Sequence, residues 1–155
     1  MEEIFEKISQ KAITKEDLVF LLEQLSVIEK EIFTNPKNLL SEKLKGKIDE
    51  SLRKEIEKLE KEGILPSTPQ DQISFFKEFE NFLFKIPTVK LEIAFEPSND
   101  FLVELDKWFK EKVKRKMILD IEINPKIIGG VKIEYQGRWR DYSLEKEMEK
   151  FYGGI

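Results

Sequence analysis

Apolar residues recur at helical spacing through the first 85 residues of the chain. Residues 2–9 carry apolar side chains on one side and predict a short first helix. From Thr14, a candidate N-cap, leucine and isoleucine follow every three or four positions, which predicts a second helix that ends near Phe33. The break signal Thr34-Asn35-Pro36 separates this helix from the next one.

A third helix is predicted over residues 36–62, with Pro36 in its first turn and Gly63 beyond its end. Its apolar stripe is one residue wide, and lysine and glutamate occupy its other faces. So narrow a stripe suits a helix on a bundle or half of a coiled coil. Gly46 in the interior costs about 1 kcal/mol relative to alanine, which predicts a soft middle.

A fourth helix is predicted from the N-cap Thr68 and Pro69 to about Phe84. It is rich in phenylalanine. A place in the hydrophobic core is the simpler interpretation of these rings. Three of them are also candidate interface residues, namely Phe75, Phe76 and Phe79.

After residue 86 the apolar period changes from helical spacing to two, which indicates half-buried strands. Strands are predicted over 89–95, 117–123 and 127–135, and a helix capped by Ser98 or Asn99 joins the first two. The turn Gln136-Gly137 leads into a short strand at 138–140, and Ser143 opens a closing helix to Phe151. The predicted fold class is α+β: a helical bundle (1–85) followed by a small β-α-β-β-α domain (86–155).

Composition narrows the function classes. The 155 residues hold 27 basic and 31 acidic side chains, and this net charge of −4 argues against general nucleic-acid binding. Cysteine and histidine are absent, which removes thiol chemistry and the commonest transition-metal ligands. No apolar run approaches the roughly 20 residues that span a bilayer, and the acidic start lacks a signal-peptide pattern. We expect a soluble intracellular protein without cofactor or metal.

The C-terminal motifs carry a family resemblance. Asn124-Pro125, Ile127-Ile128-Gly129-Gly130-Val131 and Asp141-Tyr142-Ser143-Leu144 resemble the C-terminal signature of the F-type ATP synthase delta subunit, known in mitochondria as the oligomycin sensitivity-conferring protein. Ala94–Ser98 is similar to a further segment of that family. The residues that match the motif are Pro125, Ile128, Gly129, Gly130, Asp141, Ser143 and Leu144.

The motif residues suit structural roles. Adjacent glycines weaken a strand unless it bends or something approaches closely, so Gly129 and Gly130 predict a bulge or a tight contact. Asp141 and Ser143 are candidate acceptors at the start of the closing helix. The resemblance covers about 70 residues, and the helical part ahead of it is shorter than the six-helix first domain of that family.

The resemblance implies a non-catalytic peripheral-stalk subunit at the cytoplasmic face of the plasma membrane. Its first domain would receive the N-terminal helices of the alpha subunits, in a helix-in-groove mode to which the phenylalanine-rich helix contributes. Its second domain would contact the C-terminal end of the b-subunit coiled coil. One copy for each enzyme complex implies a monomer outside the complex.

Three alternatives remain open at this point. The segment Ile128–Val131 also resembles the E-type stalk subunit of V- and A-type ATPases. An enzyme has support only in the abundance of carboxylates, because the sequence holds no phosphate loop, metal-ligand spacing or nucleophile elbow. An unrelated interaction module would use Trp139, between Arg138 and Arg140, as a hot spot, or the basic residues 110–116. Both features also have structural explanations. Trp139 could pack on the sheet, and the basic residues would balance the dipole of the helix that they end.

Overall fold

The computed structural model describes residues 1–126, 130–135 and 137–143. The chain divides into two compact units, of which the first comprises residues 1–11 and 17–85 and the second comprises residues 12–16 and 86–155. Helices dominate the first unit, and a mixed sheet with one helix forms the described part of the second. The predicted α+β class is therefore confirmed.

The helical part has five α-helices, each with its apolar face inward, and one short 3₁₀ turn. Buried side chains follow the predicted stripes, and Leu25, Ile28 and Ile32 of the second helix are 1% exposed or less. The elements are α1 (Glu2–Ile8), a 3₁₀ turn (Ser9–Lys11), α2 (Lys15–Ile32), α3 (Leu40–Lys43), α4 (Glu50–Lys61) and α5 (Pro69–Lys85).

The single helix predicted over residues 36–62 is wrong, because the chain there forms α3, a turn and α4. Gly46 has φ of +76°, a left-handed conformation that interrupts an α-helix and that residues with a Cβ avoid. Asp49 then starts α4 as a true N-cap: its carboxylate accepts from the Ser51 and Leu52 N–H groups at 3.0 and 3.3 Å. The narrow stripe is buried in two short helices, so a coiled coil is not formed by this segment.

Polar contacts fix these short helices to α2. The buried Gln24 side chain accepts from the Asp49 N–H at 2.6 Å, which ties the middle of α2 to the start of α4. Lys43 Nζ donates to the Ile32 and Thr34 carbonyls at 2.9 and 2.7 Å. These carbonyls lie at the C-terminal end of α2, where the helix leaves acceptors without intrahelical partners.

Helix α5 begins as predicted. The Thr68 hydroxyl accepts from the Asp71 N–H at 3.2 Å and donates to the Asp71 carboxylate at 2.7 Å, while Pro69 occupies the first helical position. Phe5 of α1 packs on this helix, with its ring centroid 5.4 Å from that of Phe75 and 5.2 Å from that of Phe79. Aromatic packing therefore joins the first and last helices of this unit.

The second unit is built on a four-stranded sheet with the order β2-β1-β3-β4. The central strand β1 runs parallel to β2, after a crossover through α6, and antiparallel to β3. Alternate residues of β1 are buried, namely Val89, Leu91 and Ile93. The elements are β1 (Thr88–Ile93), α6 (Asn99–Val113), β2 (Ile118–Ile123), β3 (Gly130–Tyr135) and β4 (Arg138–Ser143).

A short segment between α1 and α2 belongs to this second unit. Thr14 pairs with Leu119 in a parallel bridge, and the Leu119 N–H donates to the Ile13 carbonyl at 2.8 Å. Ile13 packs against the core of the sheet. The segment covers part of the outer edge of β2, where unpaired backbone groups would otherwise face solvent or another strand.

Strand β4 is longer than predicted. It extends over six residues and pairs with β3 along its whole length, from Tyr135 opposite Arg138 to Gly130 opposite Ser143. Asp141 thus lies within a strand rather than at the start of a helix, and Ser143 is the last strand residue. The helix predicted from Ser143 to Phe151 lies beyond the described residues.

Replacing Gly46 with alanine distinguishes the observed turn from a continuous helix. We expect Gly46→Ala to lower the free energy of unfolding by about 1 kcal/mol, because alanine is strained at positive φ although a Cβ would meet no atom within 4 Å. Gly46→Asn should cost less, since asparagine tolerates this conformation. Urea denaturation measures both, with Lys45→Ala as a neutral neighbour. A stabilising Gly46→Ala would indicate a continuous helix instead.

Substitution of Asp49 separates its capping role from its charge. Hydrogen bonds from the Ser51 side chain and from backbone amides hold the pKa of Asp49 below its ordinary value of 3.8. A lowered carboxyl pKa contributes stability that is present above the unfolded pKa and is lost as pH falls through the folded pKa. Asp49→Ala should cost about 1 kcal/mol at pH 7.

Asp49→Asn keeps a capping oxygen but cannot titrate. It should therefore retain most of the stability at neutral pH and show a shallower loss below about pH 4. Thermal unfolding from pH 7 to pH 2.5 compares the three proteins. Identical acid profiles for wild type and Asp49→Asn would show that this carboxylate makes no contribution.

Candidate interaction surfaces

The proline turn of the C-terminal motif is fixed to the sheet. The Asn124 N–H donates to the Ile93 carbonyl at the end of β1, at 2.8 Å, and the Asn124 side chain accepts from the Lys126 N–H at 3.1 Å. Pro125 lies in the turn between these contacts. This part of the motif orients the chain as it leaves β2, which is a structural role.

Three further motif residues, Gly130, Asp141 and Ser143, lie in the β3–β4 hairpin. Gly130 begins β3 and pairs with Ser143 in a continuous register, so the ladder shows no bulge at this glycine. Asp141 pairs with Lys132. Ile128, Gly129 and Leu144 lie outside the described residues, and the roles predicted for them stay predictions.

Trp139, the predicted hot spot, is in β4 opposite Glu134. Strand β4 is at one side of the four-stranded sheet, next to β3 alone in the strand order. Gly137, with φ of +76°, closes the turn that leads into it. The backbone of Trp139 is thus part of a strand at one side of the sheet. The role of Trp139 as an interface residue stays a prediction.

The three phenylalanines named as candidate interface residues lie in the core of the helical unit. Phe75, Phe76 and Phe79 are 4% exposed or less. Their interpretation as core residues is confirmed, and direct contact with a partner would require them to leave that core. Phe82 is half-buried, with its ring 5.7 Å from that of Phe5, and Phe84 is 65% exposed at the end of α5.

Exposed apolar side chains mark surfaces that the sequence analysis did not single out. Large hydrophobic residues at the surface are candidate contact points for other proteins when they occur together. For Val19 and Val103 a usable signal was present in the sequence, because both fall on the helix face opposite the apolar stripe. The exposed apolar residues are Val19, Phe20, Phe33, Leu39 and Phe84 in the helical unit, and Phe95, Val103 and Ile123 in the second unit.

The basic cluster at the end of α6 is partly used inside the protein. Asp106 is 6% exposed, and its carboxylate contacts Lys110 Nζ at 2.8 Å and Lys116 Nζ at 3.2 Å. Lys116 lies just before β2, so the Asp106 carboxylate connects α6 to the segment that leads into β2. Lys112, Lys114 and Arg115 remain exposed. Lys114 adopts a left-handed conformation that ends the helix.

Among the described residues, the groups of side chains that lie close together have structural rather than chemical roles. No group of three or more histidine, cysteine, aspartate or glutamate side chains within them is arranged to hold a metal ion. No helix among the described residues is both long and apolar enough to cross a membrane. Shifted carboxyl pKa values have local causes: a hydrogen bond from Lys47 lowers that of Glu31, and one from Lys61 lowers that of Glu57.

Comparison with known proteins covers both units. A family model described as the ATP synthase delta (OSCP) subunit matches residues 1–153. A protein named ATP synthase subunit delta, from Lactobacillus delbrueckii subsp. bulgaricus, is 33% identical over 81 residues. The aligned part covers 52% of this chain and 45% of that protein, so it spans less than half of the relative's length.

Removal of the Asp106 carboxylate should destabilise the second unit. We expect Asp106→Ala to cost about 3 kcal/mol, because it removes a buried carboxylate that contacts two lysines, one of which, Lys116, has a side chain only 10% exposed. Glu104→Ala on the same helix is the matched control. It breaks a pair 3.8 Å long with the exposed Lys107, which contributes little. Equal losses for the two variants in urea denaturation would contradict this assignment.

Proposed function

Because the chain belongs to the ATP synthase delta (OSCP) subunit family, we propose that it is a non-catalytic peripheral-stalk subunit. In this role it links the catalytic head of an F-type ATP synthase to the membrane-anchored b-subunit stator and supports proton-driven ATP synthesis. The observation that carries the proposal is the extent of the family match, which includes the helical unit as well as the C-terminal motifs. The E-type stalk subunit is not retained, since it belongs to a different family.

We assign the two contacts of such a linker to different domains, residues 1–85 and 86–155. The helical domain receives the N-terminal helices of the alpha subunits, and the α+β domain contacts the C-terminal end of the b-subunit coiled coil. Binding of a helix requires an apolar surface that stays exposed when the protein is free. On α5, Phe84 meets this requirement, whereas Phe75, Phe76 and Phe79 support the surface from within the core.

The α1–α5 contact is the part of the helical domain that we propose as this surface. Phe5 joins the two helices through ring contacts with Phe75, Phe79 and the half-buried Phe82. Aromatic residues at a partly exposed contact between helices provide large apolar area at low entropic cost for an incoming amphipathic helix. The partner's apolar face would cover Phe82 at this contact and would meet Phe84, which projects from another side of α5, at the end of that helix.

This function needs no reacting group. A stator subunit transmits force through bound surfaces, so its requirements are folded domains and durable contacts rather than a positioned acid, base or nucleophile. Attachment to a membrane complex at the cytoplasmic face would come from the b subunit. The chain's own described helices are not of the kind that spans a bilayer.

Co-purification of the 155-residue chain from its native membranes tests the proposal. Wild-type protein carrying a tag should recover alpha, beta and b subunits at low salt. Phe84→Ser should still recover b but several-fold less alpha, because it removes the exposed ring from α5. Phe95→Ser, an exposed phenylalanine of the second unit, is the matched control and should leave alpha recovery unchanged. Immunoblots against each subunit provide the readout.

Two results would count against the assignment. Recovery of none of these subunits, from membranes where an intact ATP synthase is demonstrated, would exclude the stalk role. Recovery of alpha by Phe84→Ser at the wild-type level would keep the stalk role but remove α5 from the alpha-binding surface.

A further inference from the structure

An apolar and cationic surface lies at the C-terminal end of α2, and we call it the Phe33–Leu39 surface. Phe33 and Leu39 are each 56% exposed and stand on either side of the turn 34–38. Two exposed lysines adjoin them, Lys30 one helical turn before Phe33 and Lys37 within the turn itself. This surface carries none of the residues assigned above to the α1–α5 contact.

The backbone that carries this surface is held in place by specific contacts. The Asn38 N–H donates to the Asn35 carbonyl at 2.9 Å, and Asn35 has a φ of +39°, which asparagine tolerates better than most residues. Lys43 Nζ bonds the Ile32 and Thr34 carbonyls from the protein side. A turn fixed in this way presents its apolar side chains with little entropy left to lose on binding.

The charge of this region is opposite to that of the chain. Residues 30–47 hold five lysines and two glutamates, a net charge of +3, whereas the whole chain carries −4. Glu31 is already paired with Lys47 at 2.9 Å. Among the described residues, Lys30, Lys37 and Lys45 form no ion pair. The surface therefore favours carboxylates on whatever covers its apolar residues.

We propose that the Phe33–Leu39 surface binds an acidic amphipathic segment of another protein. Leucine or aromatic side chains of that segment cover Phe33 and Leu39, and its flanking carboxylates face Lys30 and Lys37. Lysines at the margin of an apolar contact govern partner choice and association rate more than affinity, so an acidic segment is selected over a basic one. This inference does not depend on the stalk function.

Anisotropy titrations with the full-length protein test the inference. The probe is a labelled synthetic amphipathic helix with leucines on one face and glutamates beside them, and its twin carries lysine in place of every glutamate. We expect the acidic helix to bind at least about tenfold more tightly than its twin, with an affinity that falls as salt is added. Leu39→Ser and Lys37→Glu should each weaken binding by about fivefold or more.

These variants should fold normally. Leu39 is the N-cap of α3, where serine is favoured over leucine, so Leu39→Ser removes the apolar contact without removing a structural one. Lys37 is exposed and makes no ion pair within the described structure. Val103→Ser and Lys112→Glu make comparable exchanges, an aliphatic residue to serine and lysine to glutamate, at exposed positions of the second unit and should bind like wild type.

Four outcomes would overturn the inference. Two concern the peptides: equal binding of the two helices, or wild-type binding by Leu39→Ser and Lys37→Glu. The third is binding to phosphatidylglycerol vesicles without binding to the acidic helix, and the fourth is a concentration-dependent dimer that Leu39→Ser abolishes. The last two would assign the surface to a lipid or to a second copy of this chain. None of them bears on the recovery of alpha and b subunits.

Discussion

The structure depends on burying apolar stripes that are narrow because charged residues make up 37% of the chain. Each helix or strand has one face to bury, and no element has enough apolar surface to be stable alone. In the helical unit the stripes meet around aromatic rings, with Phe5 of α1 against α5. In the second unit they meet on the central strand β1, where Val89 and Ile93 are fully buried.

A narrow apolar stripe defines which face of an element is buried, but it does not define where the element begins. Polar contacts at the ends of the elements fix these positions. The Gln24 side chain and the Asp49 amide join α2 to the start of α4, and Lys43 satisfies the carbonyls at the end of α2. In the second unit the Asp106 carboxylate holds two lysines between α6 and β2. Gln24 and Asp106 are buried, and their contacts satisfy polar groups that would be costly to leave unpaired.

This arrangement, in which apolar stripes select the buried face and polar contacts position the elements, suits a protein that binds rather than reacts. Of the motif residues, those that the structure describes occur in a turn and in two paired strands, where they shape the backbone. The partner contacts proposed above use exposed side chains instead, namely Phe84, Phe33 and Leu39. The sequence motif and the proposed binding surfaces are thus different sets of residues, because the motif lies in the second unit and these exposed side chains lie in the helical unit.

The sequence alone determined the type of most elements and the face that each one buries. Periods of 3.6 and 2 are local properties, so α2, α5, α6 and the strands followed directly, as did the caps Thr68 and Ser98. The delta-subunit resemblance also came from contiguous motifs. Tertiary structure decided the remainder, because it depended on partners distant along the chain. The break at Gly46 needed the left-handed turn and the Asp49 cap, and the pairing of Thr14 with Leu119 joins residues more than a hundred positions apart. The exposure of Phe33 likewise follows from which faces meet, which the pattern of a single helix does not specify.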